Sequence, residues 1–137
     1  MQIREIALNE LQDVYDLVKS HYTYSLDEFE NIIYDMRHQN YKMYGIFEKN
    51  RVVSFAGISV LSSLEFQQHL HIYELITDSE YILRGYDREL ILYLNNHAKV
   101  LQCKHVILGS SKTFKNLDEF FKMKEFRELD EIYIKEL

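Results

Sequence analysis

The sequence predicts an α/β (mixed α+β) domain built on a mixed sheet, and three features carry that expectation. Two β-rich runs, Tyr41 to Glu48 and Val52 to Val60, flank Lys49-Asn50-Arg51 and read as a hairpin. The stretch His69 to Leu94, HLHIYELITDSEYILRGYDRELILYL, passes from an apolar strand, Ile72 to Ile76, through a polar turn into a helical pattern with Leu90, Ile91, Leu94 and Ala98 on one face. Lys104 to Leu108, KHVIL, is too short for a helix and ends at Gly109-Ser110-Ser111, so it reads as a buried strand. One helix of ordinary length connects it to the preceding strand, which makes the two parallel with a right-handed crossover.

The remaining elements follow in order. Gln2 to Ala7 alternates Ile3 and Ile6 with polar residues, as a short strand does. Asn9 stands three residues before Gln12, close to a capping-box spacing, and Leu11, Val14, Tyr15 and Val18 recur at helical intervals, giving a helix over roughly 9–20. Ser25 with Glu28 opens a second helix whose apolar face is Phe29, Ile32, Ile33 and Met36 and which ends near Asn40. Gly45 and Gly57 fall inside strands, where glycine marks a bulge or a close backbone approach. Ser62 to Gln68 reads as a turn. Leu117, Phe120 and Phe121 suggest a short amphipathic helix, and Glu131 to Leu137 an alternating final strand with Ile132 and Ile134 on one side. The order is strand, helix, helix, three strands, helix, strand, helix, strand.

Composition bounds the function. At 137 residues, 47% hydrophobic, the chain has material for one core, and a single domain over 1–137 is expected. No apolar run approaches the ~20 residues that span a bilayer, and MQIREIALNE lacks the apolar core of a signal peptide, so a soluble cytoplasmic protein without membrane partners is expected. One cysteine, Cys103, excludes an internal disulfide and reads as a small apolar side chain. A net charge of −6 disfavours nucleic acid, whose binding depends on neutralising phosphates, but is compatible with an amine. No metal site is evident: the six histidines are scattered, and His69-x-His71 lacks a third partner. No motif supports a Ser/His/Asp or Cys/His nucleophile.

The turn after the central strand, Thr77-Asp78-Ser79 and then Arg84-Gly85-Tyr86, has the form of an anion-binding strand-turn-helix. Free N–H groups and partial positive charge at a helix start attract phosphate, and glycine lets backbone and ligand approach closely. An ordinary strand-to-helix connection has the same form. The six residues Ile82-Leu83-Arg84-Gly85-Tyr86-Asp87 resemble the cofactor loop of the GNAT superfamily of acetyl-CoA-dependent N-acetyltransferases, Gln/Arg-x-x-Gly-x-Gly/Ala, most closely at Arg-Gly-Tyr. Phe120-Phe121-Lys122-Met123-Lys124-Glu125-Phe126 resembles that family's Phe-Tyr-Glu-Lys-Leu-Gly-Phe signature, and the element order matches along essentially the whole chain.

The resemblance implies a GNAT-like, mostly antiparallel sheet of about six strands with a splayed parallel pair, flanked by about four helices. It implies acetyl-CoA as co-substrate, held along the backbone of Leu75, Ile76 and Thr77 with its pyrophosphate at Leu83, Arg84, Gly85, Tyr86, Asp87 and Arg88, and the N–H of Leu75 or a neighbour polarising the thioester carbonyl. The acceptor would be a small-molecule or peptide amine, in a pocket lined by the helix pair at 9–40 and the Ser62–Gln68 connection; a homodimer is compatible with this reading. The general base is left open among His69, His71 and Glu74. By alternation His69, His71 and Tyr73 share one face of the strand, and Leu70, Ile72 and Glu74 the other.

Three positions depart from the family pattern. Ile82 replaces a polar residue at the loop entrance, and Phe121 replaces the tyrosine that protonates the departing thiolate, a role typically worth ~10²–10⁴-fold. Asp87 stabilises an empty helix start by ~0.3–1 kcal/mol but would repel a pyrophosphate at ~5–6 Å by ~3 kcal/mol at an effective dielectric of 20. Arg84 and Arg88 offset part of this. The same departures define the rival expectation, a catalytically weak or inactive binding or regulatory module on the same fold.

Overall fold

The computed structural model describes residues 1–114, 117–128 and 133–137. Its centre is a five-stranded sheet in sequential order: β1 (Gln2–Ile6), β2 (Tyr41–Glu48), β3 (Arg51–Ser63), β4 (Gln67–Thr77) and β5 (His105–Leu108). The first four strands pair antiparallel and β5 joins β4 in parallel. Helices α1 (Leu11–Val18) and α2 (Leu26–Met36) pack on one face. Helices α4 (Tyr86–Val100) and α5 (Asp118–Met123) cover the other, and a one-turn helix α3 (Ser79–Ile82) lies between β4 and α4.

Local chemistry explains most boundaries. Ser25 accepts from the Glu28 amide while the Glu28 carboxylate takes the Ser25 amide, a reciprocal cap that fixes the start of α2. Lys49 and Asn50, both at positive φ, close the β2–β3 hairpin opposite the Glu48–Arg51 pair. In α4, Leu90, Ile91, Leu94 and Ala98 are all buried, and they join Leu70, Ile72 and Leu75 of β4 in one core. The second core sits between the sheet and α1–α2, around Val14, Phe29, Ile33, Phe55 and Ile76.

Four expectations change. The cap at the first helix is not Asn9. Glu10 takes the Ala7 amide at 2.9 Å and pairs with Arg4 at 2.8 Å, so a 3-10 turn, Leu8–Glu10, precedes α1. The polar turn after β4 contains α3, because the Asp78 side chain accepts the Glu80 amide and starts a helical turn. The sheet has five strands among the described residues. Of the expected final strand, 131 and 132 lie outside the described residues, and Tyr133 to Leu137 form none: Tyr133, Ile134 and Leu137 are exposed, so alternation there finds no core to face. The fourth change, in β4, shapes the site.

Candidate active site

β4 carries a bulge. Gly57 of β3 stands opposite Glu74 and Ile58 opposite Ile72, which leaves Tyr73 without a partner. One extra residue reverses side-chain parity beyond it. Leu70, Ile72 and Leu75 point into the α4 core, whereas Glu74 and Ile76 face α1 and α2. The expected grouping of Glu74 with Leu70 and Ile72 is therefore corrected: Glu74 lies on the side of Tyr73.

There Glu74 forms the polar floor of a cavity of about 110 Å³ between the sheet and α1–α2. The Tyr41 hydroxyl donates to Glu74 Oε1 at 2.5 Å, and the Tyr41 ring packs edge-on against Tyr73. Burial pushes the Glu74 carboxyl up to about 7, against the opposing pull of the Tyr41 hydrogen bond. Burial and the nearby carboxylate hold the Tyr41 hydroxyl well above its ordinary range, so it stays a donor. Gly57 makes room for the pair, since a Cβ there would overlap both the Tyr41 hydroxyl and the Glu74 carboxyl. Neither Tyr41 nor Gly57 was singled out as functional from the sequence. The strand glycine was the available signal.

The other two base candidates lie elsewhere. His69 is buried with Nδ1 2.9 Å from the Gln67 carbonyl and its ring against Phe66, and it does not line the cavity. His71 packs edge-on against Tyr73 with its Nε2 beside Gly109, and burial followed by proximity to His69 lowers its pKa. Residues of the helix pair line this cavity, and no residue of the Ser62–Gln68 connection is among its described lining.

On the other edge of β4 the parallel pair separates. Ladder pairing runs from His69–His105 to Ile72–Leu108, and the Gly109 amide then bonds the Ile72 carbonyl at 2.8 Å. Among the described residues, β4 has no strand neighbour on this side beyond that point. The Leu75 amide donates instead to Thr113 Oγ1 at 3.0 Å, and Thr113 is in turn held by Ser111 Oγ at 2.8 Å. Phe121 is buried against Phe114, Phe120 and Phe126, with no hydroxyl to offer.

The turn before α4 has one glycine-dependent position, which is half-buried. Gly85 adopts φ 75° as the N-cap residue, and a Cβ placed there would meet nothing within 4 Å. The Arg84 and Gly85 amides bond the Tyr81 and Ile82 carbonyls, while the Arg88 amide is taken by its neighbour Asp87 at 2.8 Å. The Tyr86 and Asp87 amides have no acceptor among the described residues. Arg84 stacks on Tyr81, Tyr81 stacks on Tyr86, and Tyr86 donates to Glu48 at 2.5 Å. Neither Arg84 nor Arg88 forms a salt bridge among the described residues. Two amides without an acceptor thus lie beside Arg84, stacked on Tyr81, and Arg88, whose guanidinium is 5.8 Å from the Phe120 ring, a helix start suited to an anion. Ile82 and Leu83 are solvent-exposed at its edge.

The bulged β4, the separated parallel pair and the glycine turn opening a helix are accompanied by a direct sequence match. The profile of the Acetyltransferase (GNAT) family matches residues 5–125. The chain belongs to the GNAT acetyltransferase family. Solved acetyltransferases share the fold of this GNAT chain at low identity. A ribosomal-protein-alanine N-acetyltransferase from Brucella melitensis biovar Abortus superposes with a TM-score of 0.82 at 12% identity, covering 99% of this chain and 98% of that one. A Trypanosoma brucei acetyltransferase gives 0.78 at 20% identity, covering 99% of each. An aminoglycoside 6'-N-acetyltransferase from Acinetobacter haemolyticus gives 0.80 at 11% identity, covering 100% and 98%. Among curated proteins, a kynurenine formamidase from Scheffersomyces stipitis is 31% identical over 111 residues. That match takes in 77% of this chain but 41% of the formamidase, so the chain spans less than half of that relative's length.

Proposed function

We propose that this GNAT-family protein is an acetyl-CoA-dependent N-acetyltransferase that joins the acetyl group to a primary amine by direct attack on the thioester. The observation that carries the reading is the placement of Glu74: a carboxyl poised near neutral pH, facing a cavity, one residue from the strand amide that borders the split between β4 and β5. The amine nitrogen forms a bond to the acetyl carbon and gives its proton to Glu74, which suits a base with pKa close to the working pH. The Leu75 amide donates to the carbonyl oxygen as charge develops on it. Collapse then breaks the carbon–sulfur bond, and the thiolate leaves and is protonated from solvent, because Phe121 supplies no proton. The Tyr86 and Asp87 amides with Arg84 and Arg88 would hold the pyrophosphate. For the Leu75 amide to serve, Thr113 Oγ1 has to release it.

That last requirement, with the Asp87 carboxylate on the Arg88 amide, favours a second reading: a binding module on the same fold without transferase activity. Thiol release from acetyl-CoA in the presence of amines separates the two. The transferase reading expects release that rises through pH 7 as Glu74 ionises and falls by at least about 10²-fold in Glu74→Gln. Release with an amine that is equal in both proteins removes Glu74 as the base, and none with any amine supports the module.

A further inference from the structure

The cavity over Glu74 has a chemistry that restricts what can enter it. Its walls are aromatic and aliphatic, with Tyr22, Tyr24, Phe29, Tyr41 and Phe55 prominent, and Glu74 is the single carboxyl among the described residues of the lining. Among the described residues, no lysine, arginine or histidine lines it. Lys112 sits 4.5 Å over the Tyr22 ring and donates to the His21 carbonyl, and it is not part of the lining. Glu74 Oε1 is taken by Tyr41, and no second hydrogen bond holds Oε2 among the described residues. The volume of about 110 Å³ is of the same order as the ~150 Å³ apolar cavity that accommodates a benzene ring.

We infer that the cavity takes a monoamine bearing one apolar group no larger than a single ring, and no carboxylate, with its nitrogen at Glu74. The inference deepens the transferase reading and rests on it for the chemistry, though not for the binding. One acid matches one ammonium. A polyamine or aminoglycoside would bring further cations against apolar walls, and an amino acid would bring a carboxylate with no cation in the lining to meet it. The rings supply hydrophobic contact and face-on attraction for the incoming cation.

The test compares 2-phenylethylamine with L-phenylalanine, spermidine and kanamycin. Acetyl-CoA affinity is measured separately by calorimetry, and each amine's effect on Tm is measured without acetyl-CoA. The expected kcat/KM for 2-phenylethylamine exceeds that of each competitor by at least about tenfold. It alone raises Tm, and Ile32→Trp, which fills the cavity from a partly exposed position on α2, abolishes the rise. Preference for spermidine, kanamycin or phenylalanine, with acetyl-CoA bound, overturns the inference and leaves the transferase intact. No turnover with any amine, with the Tm rise kept and lost in Ile32→Trp, does the reverse. A Tm rise that survives Ile32→Trp places the amine elsewhere and overturns the inference.

Discussion

Replacing Glu74 by Gln should change how stability depends on pH, in a direction set by its burial. The carboxyl is pushed from an ordinary 4.5 up to about 7, chiefly by burial. The folded chain therefore binds this proton more tightly than the unfolded chain does. Between pH 4.5 and 7 the folded state holds more protons at this position, so stability falls as pH rises. The whole interval, at about 1.4 kcal/mol per tenfold change in proton affinity, gives roughly 3 kcal/mol. The loss is absent below 4.5 and complete above pH 7.

Gln keeps an acceptor for the Tyr41 hydroxyl and has no proton to lose. Urea unfolding at pH 5 and pH 8 should thus show the wild type losing most of this, about 2.5 kcal/mol more than Glu74→Gln. Other shifted groups cancel in this difference. Glu10, lowered to about 2 first by its hydrogen bond from Arg4, titrates below the window in both proteins. His71, lowered by burial, acts in the opposite sense but equally in both. Identical pH dependence in the two proteins would show that Glu74 is not a buried, neutral-poised carboxyl, and the base assignment would lose its basis.

Three further substitutions probe the geometry. Gly57→Ala should drive Tyr41 and Glu74 apart and cost about 1–3 kcal/mol of stability together with most activity; wild-type thermal unfolding and turnover would contradict the packing described. Thr113→Val removes the hydroxyl on the Leu75 amide and should tighten acetyl-CoA binding about fivefold, since ~1 kcal/mol of hydrogen bond no longer has to be broken; weaker binding by calorimetry would give Thr113 a supporting role instead. Asp87→Gly should tighten it by up to about tenfold, by removing a repulsion and freeing the Arg88 amide, at a helix cost of about 1 kcal/mol; unchanged affinity would clear Asp87 as an obstacle.

The sequence made local features readable and left non-local ones hidden. The Ser25–Glu28 cap, the Lys49-Asn50 hairpin and the buried face of α4 each depend on residues within a few positions of one another, where spacing alone is informative. The bulge at Tyr73 depends on how β4 registers with Gly57 of β3, and no pattern within β4 announces it. Alternation therefore put Glu74 on the opposite face from the one it occupies. Tyr41 meets Glu74 across 33 positions, and Thr113 meets Leu75 across 38, contacts that only the folded sheet creates. The glycine turn was legible because it needs a residue free to take φ 75° beside a helix start. Which of its amides are already bonded was not.

The central claim is that the split between β4 and β5 and the turn at Gly85 together receive acetyl-CoA. Amide resonances followed by NMR during titration with acetyl-CoA address it residue by residue. The account predicts saturable shifts at Leu75, Gly85, Tyr86 and Asp87, with Thr113 moving as it releases the Leu75 amide. Unmoved resonances at those positions with millimolar acetyl-CoA, in a protein that remains folded, would contradict it.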